Sequence, residues 1–154
     1  VQVQLTLQDD AGNPLQAQTV FVARDTIGAG ETSPFRVLFT APPTSFSKFA
    51  VIPLRAEPGN GGAFAMIKVD KLTGTPNGAQ FKVTGELTNG DQVDTTSLRM
   101  IVTAYDTEKP DIGYRYVDAA QPVLSVGATT PFDISIVTAS QSISTFSLIA
   151  EGGK

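Results

Sequence analysis

Apolar and polar residues alternate from the first position: Val1, Val3, Leu5 and Leu7 are apolar, while Gln2, Gln4, Thr6 and Gln8 are polar. A period of two puts the apolar set on one face of an extended chain, which predicts a half-buried β-strand. The run Asp9-Asp10-Ala11-Gly12-Asn13-Pro14 then reads as a turn, with a return strand near 15–22. A second hairpin of this kind is expected at 98–106, turning through Glu108-Lys109-Pro110-Asp111 and returning over 112–117. Phe35, Val37 and Phe39 share one face of a later strand, as do Phe132, Ile134 and Ile136. Closing strands carry Phe49 and Val51 in one case, Phe146 and Leu148 in the other. Residues 64–69 and the set Phe81, Val83, Gly85 and Leu87 supply two more strands, joined by a Gly/Pro/Asn-rich turn at 73–79. No segment has a helical period. The chain is predicted to be all-β, with short strands and regular turns that suggest a sandwich.

The two sets of strands are one pattern repeated at an offset of 97 residues. Gly30-Glu31-Thr32-Ser33-Pro34-Phe35 recurs as Gly127-Ala128-Thr129-Thr130-Pro131-Phe132, and 12 of 52 positions are identical between 3–54 and 100–151. Average composition would give roughly three or four identities. Internal repetition of this kind fixes the architecture before local structure is read. Gly30 and Gly127 are expected to make a tight or left-handed bend. Pro34 and Pro131 are expected at the first residue of a strand, where a missing donor costs little, with Phe35 and Phe132 behind them. The predicted organisation is a partial unit over 1–57, a Gly-rich linker over 58–62 and a complete unit over 63–154. The partial unit has no counterpart of the second unit's lead-in at 63–98, some 35 residues, so the chain is expected to be part of a longer protein.

Composition narrows the chemistry. There is no His and no Cys among 154 residues, so a Ser-His-Asp triad, a thiol nucleophile and an imidazole or thiolate zinc site are excluded. The commonest general acid–base side chain is missing as well. Four basic residues stand against five acidic over 1–62, and seven against ten over 63–154; neither half has the basic patch that nucleic acid demands. No apolar run is long enough to span a bilayer as a helix. The glycine-threonine-proline turn is not a phosphate loop, since no Lys follows it and no helix opens there. Asp9-Asp10 and Asn89-Gly90-Asp91-Gln92-Val93-Asp94 are oxygen-rich, but neither has the spacing of a calcium loop. Acidic residues in turns ordinarily bond their own backbone. No cofactor is expected.

Residues 64–152 resemble the bacterial and archaeal FxLYD-type domain. The resemblance is carried by Gly85-Glu86-Leu87-Thr88-Asn89, by Val102-Thr103-Ala104-Tyr105-Asp106, and by the turn over 127–132. The first unit is similar only in Leu5-Thr6-Leu7-Gln8-Asp9 and in 30–35; Ala104 and Gln8 stand where the family has Leu and Tyr. The resemblance implies tandem immunoglobulin-like sandwich units, the first lacking its N-terminal strands, on an extracellular or envelope protein with no assigned activity.

Tyr105, Tyr114 and Tyr116 correspond to Gln8, Ala17 and Thr19 in the first unit. Alternation puts Tyr105 outward, and Tyr114 and Tyr116 on one face. Such a patch suits a sugar ring or a protein partner, or it simply stabilises the hairpin through cross-strand pairs. The leading expectation is a non-enzymatic structural or interaction module; the alternative is carbohydrate binding through the tyrosines. A half-sandwich exposes strand edges. Residues 1–7 are therefore expected to pair with a strand of another chain, as protein partner or strand-edge self-association, unless the first unit packs on the second.

Overall fold

The structure, a computed structural model, describes residues 1–59, 61–106, 113–137 and 143–154. Ten strands form: β1 (Gln2–Gln8), β2 (Pro14–Phe21), β3 (Lys48–Arg55), β4 (Phe64–Ala65), β5 (Ile67–Asn77), β6 (Gln80–Asn89), β7 (Ser97–Tyr105), β8 (Gly113–Asp118), β9 (Thr129–Val137) and β10 (Thr145–Gly153). Among the described residues the sole helical piece is a single 3-10 turn, Gly61–Ala63, which overlaps the end of the Gly-rich linker expected over 58–62. The chain divides into two compact units, Val1–Gly59 and Asn60–Lys154.

Unit 2 is a β-sandwich. One sheet has the order β4-β10-β7-β8, the other β5-β6-β9. Alternation sends Leu98, Met100, Val102 and Ala104 of β7 inward, against Phe81, Val83 and Leu87 of β6 and Phe132, Ile134 and Ile136 of β9. Phe81 and Phe146 meet edge to face with ring centroids 5.4 Å apart, the favoured aromatic geometry. Gly85 is directly opposite Phe132 in the ladder. A Cβ at Gly85 would fall 2.8 Å from the Phe132 ring and 3.0 Å from the Asp70 carbonyl oxygen, so a bare backbone is what lets this ring lie across β6.

Unit 1 contains one three-stranded sheet, β2-β1-β3. Its pairings recur in unit 2 shifted by 97 residues. Leu5 faces Gln18 and Val51, as Val102 faces Arg115 and Leu148; Thr6 faces Ala17 and Ala50, as Thr103 faces Tyr114 and Ser147. The turns match too. Gly30 and Gly127 have φ of +78° and +70°, and the Glu31 and Ala128 N–H groups donate to the Gly28 and Ser125 carbonyls at 3.1 and 2.9 Å. A positive φ at the third residue of such a turn is where glycine is favoured.

The structure corrects several expectations. β1 is the centre of its sheet, hydrogen-bonded on both sides. Residues 1–7 therefore have no free edge to offer another chain. Residues 31–39 form no ladder, although Phe35, Val37 and Phe39 still turn inward while Arg36 and Leu38 are exposed. The physical reason is a missing neighbour: β9 is a strand because it pairs with β6 from Thr88–Thr129 to Gln80–Val137, and unit 1 has no strand in the β6 position among its described residues. Pro131 is the third residue of β9, not its first, and Pro34 lies in no strand; β9 is an edge strand, which tolerates a missing donor anywhere along its open side. The 73–79 turn is shorter than expected, because β5 continues through Asn77 and the chain reverses over Gly78-Ala79. The predicted 108–111 turn lies outside the described residues.

Candidate functional site

Ladder registry brings the three tyrosines together. Tyr116 is paired with Ile101 and Tyr114 with Thr103, while Tyr105 lies two residues beyond Thr103 on β7. Side chains two apart share a face, so all three stand on the face of the β4-β10-β7-β8 sheet that points away from Met100, Val102 and Ala104. Tyr116 is 54% exposed, and the Arg99 guanidinium carbon lies 5.4 Å from its ring centre. Arg99 in turn donates from Nε to Asp118 at 2.7 Å. The Tyr105 hydroxyl lies 3.4 Å from the Ser147 hydroxyl. Tyr105 and Tyr114 are half-buried. Tyr116 is thus the most open of the three, a ring with a cation beneath it.

A second feature was not legible in the sequence. A cleft of about 430 Å³ opens beside β8 and β9, the edge strands of the two facing sheets, with Leu98, Met100, Phe132 and Ile134 in its wall and Asp118 and Asp133 at its margin. Both carboxylates are engaged, Asp118 by Arg99 and Asp133 by Lys82 Nζ at 2.8 Å. Its lining is spread over four successive strands, β6 to β9, and the segment that follows β8, so no local motif marks it.

The oxygen-rich turns are occupied by the chain's own donors. Asp9 accepts from the Asn13 backbone N–H at 2.8 Å and from its side chain at 2.9 Å; those bonds, the Asn13 side chain first, hold its carboxyl below the usual range. Asn89 is buried, donates from Nδ2 to the Val93 and Leu124 carbonyls at 2.8 Å each, and accepts from the Asp91 N–H at 2.9 Å. Asp91 takes an ion pair from Lys154 at 2.9 Å and a bond from the Met66 N–H, and Asp94 accepts from Val126 N–H. Among the described residues no three acidic side chains converge to hold a metal ion.

Unit 1 presents a different kind of surface. The β1 pairings align Val3, Leu5 and Leu7 with Val20 on one side and with Phe49, Val51 and Pro53 on the other, all on one face. Val3 and Leu7 are buried, but Phe49 is 63% exposed and Val51 is exposed as well. In unit 2 the positions matching Phe49 and Val51 are Phe146 and Leu148, and both pack against the core. Comparison of the chain with protein-family models, curated proteins and solved structures returned no match.

Proposed function

We propose that the chain is a non-enzymatic structural and interaction module built from two copies of one immunoglobulin-like block, the first of them incomplete within this chain. Its placement on a cell-surface or secreted protein follows from the FxLYD resemblance alone. The observation that carries the interaction reading is the contrast between matched residues: Phe146 and Leu148 pack in a core while Phe49 and Val51 are exposed. Exposed aromatic and branched side chains on a sheet face are the usual material of a protein interface. Titration with bis-ANS tests the availability of this face. Saturable binding that is lost in Phe49→Ser with Val51→Ser supports the reading; no binding, or equal binding by the double variant, removes it.

Carbohydrate binding is the second reading, favoured by the gathering of Tyr105, Tyr114 and Tyr116 on one sheet face. An accessible ring over a guanidinium offers a sugar both a stacking surface and hydrogen-bond donors. A glycan array with wild type and Tyr116→Ala decides it: the absence of any signal sensitive to this substitution discards the sugar.

A further inference from the structure

Natural sheets protect their edges with charge, proline, bulges or brevity, because an open strand is a template for another strand. Unit 2 follows that rule. Its edges are β8 with Arg115 and Asp118, β9 with Pro131 and Asp133, β5 with Lys68, Asp70, Lys71, Pro76 and a bulge, and β4, two residues long. In unit 1 the β3 edge is also protected. Val22 N–H donates to the Val1 carbonyl at 3.2 Å, which fixes the phase of the antiparallel ladder: odd residues of β1 bond to β2, even ones to β3. On β3 the odd residues therefore face the open side, so the missing donor of Pro53 falls there, between Lys48 and Arg55 at the strand ends.

β2 is the exception. From 14 to 22 it has no charged residue, and its proline and its register shift, where Leu7 opposite Gln16 gives way to Gln8 opposite Pro14, both sit at its very start, leaving 16–21 a regular strand. Beyond that shift its outward groups belong to residues 17, 19 and 21. Where β8 shields the same positions with Tyr114 and Tyr116, β2 has only Ala17 and Thr19. Beyond the strand, the Ala23 N–H already donates to the Pro34 carbonyl at 2.8 Å, so the open stretch ends at 21.

We propose that β2 pairs with β2 of a second copy of this chain, antiparallel about a two-fold axis at Gln18. The proposal rests on the interaction-module reading and gives it a partner. In this register residues 17 and 19 of one chain bond to 19 and 17 of the other, so the outward donors and acceptors at the centre of the regular stretch are used. Leu15 comes opposite Phe21, which is 73% exposed, giving an aliphatic–aromatic cross-strand pair at each end. Unit 1 has almost balanced charge, four basic against five acidic residues over 1–62, so two copies repel weakly.

The register makes a sharp test. Gln18 meets Gln18 of the second copy in a non-hydrogen-bonded pair, with Cα atoms about 4.5 Å apart, inside the roughly 4.4–6.8 Å a disulfide spans. The chain has no cysteine of its own. Full-length Gln18→Cys, oxidised with glutathione disulfide as electron acceptor, is expected to become a covalent dimer, while Gln16→Cys, whose copies lie four residues apart in the ladder, stays monomeric. Ala17→Lys with Thr19→Lys puts like charges opposite each other and is expected to abolish dimers in sedimentation; Ala17→Lys with Thr19→Glu makes those pairs complementary and is expected to retain them. A wild type that sediments as a monomer at high concentration overturns the proposal, as does equal crosslinking of both cysteine variants. Either result leaves the bis-ANS experiment on Phe49 and Val51 standing by itself.

Discussion

Asn89→Ala removes a buried side chain that three hydrogen bonds tie to the backbone of unit 2. The amide is 1% exposed and makes two donated bonds of 2.8 Å and one accepted bond of 2.9 Å, all to backbone groups. These tie the end of β6 to the 90–95 loop and to Leu124. The Asn89 backbone adds two more, accepting from Gly127 N–H and donating to the Ala128 carbonyl, but those survive the substitution. Each lost side-chain bond is worth about 1 kcal/mol net. Leu124 keeps its bond from the Thr95 N–H at 3.2 Å, so its carbonyl is not orphaned; the Val93 carbonyl and Asp91 N–H lie nearer solvent. The expected loss is therefore about 3 kcal/mol, made of three bonds without a large further penalty. For a unit of this size it lowers the midpoint of thermal unfolding by on the order of 15 °C. Circular dichroism melts and urea titrations of the whole chain, following the unit 2 transition, measure it. A loss below about 1 kcal/mol would refute the view that Asn89 fastens these loops.

Two further outcomes are expected. Phe132→Ala, in a core position only 9% exposed, should cost about 3–5 kcal/mol, whereas Phe35→Ala at the matched, less covered position should cost about 1–2 kcal/mol, the burial contribution without a sealed cavity; equal losses in urea unfolding would contradict the claim that β6 makes the difference. The Lys154 ammonium, followed by the Gln92 and Met66 N–H groups, holds the Asp91 carboxyl below its ordinary value of 3.8. A depressed acid stabilises the fold fully above that ordinary value and stops doing so as pH falls through its lowered folded value. Wild type should thus exceed Asp91→Asn in urea midpoint above about pH 4 and converge with it in stronger acid; parallel curves throughout would disprove the linkage.

Much of the fold was legible in the chain itself. The period-two patterns of Val3, Leu5 and Leu7 and of Phe132, Ile134 and Ile136 fixed strand type and inward face, because side chains alternate strictly along an extended backbone. Gly30 and Gly127 announced bends, since few other residues accept a positive φ. Alternation also placed Tyr105 outward.

What sequence alone could not supply was which strands are neighbours. Phe35, Val37 and Phe39 carry the same signal as Phe132, Ile134 and Ile136, yet one set belongs to a strand and the other does not. The decision lies with β6, which satisfies the β9 backbone in unit 2 and has no equivalent in the unit 1 sheet. The meeting of Tyr105 with Tyr114 and Tyr116, the cleft beside β8 and β9, the central position of β1 and the bare edge of β2 were settled in the same way. Local patterning decides which way a side chain points, whereas hydrogen-bond pairing between segments distant in the chain decides what it meets.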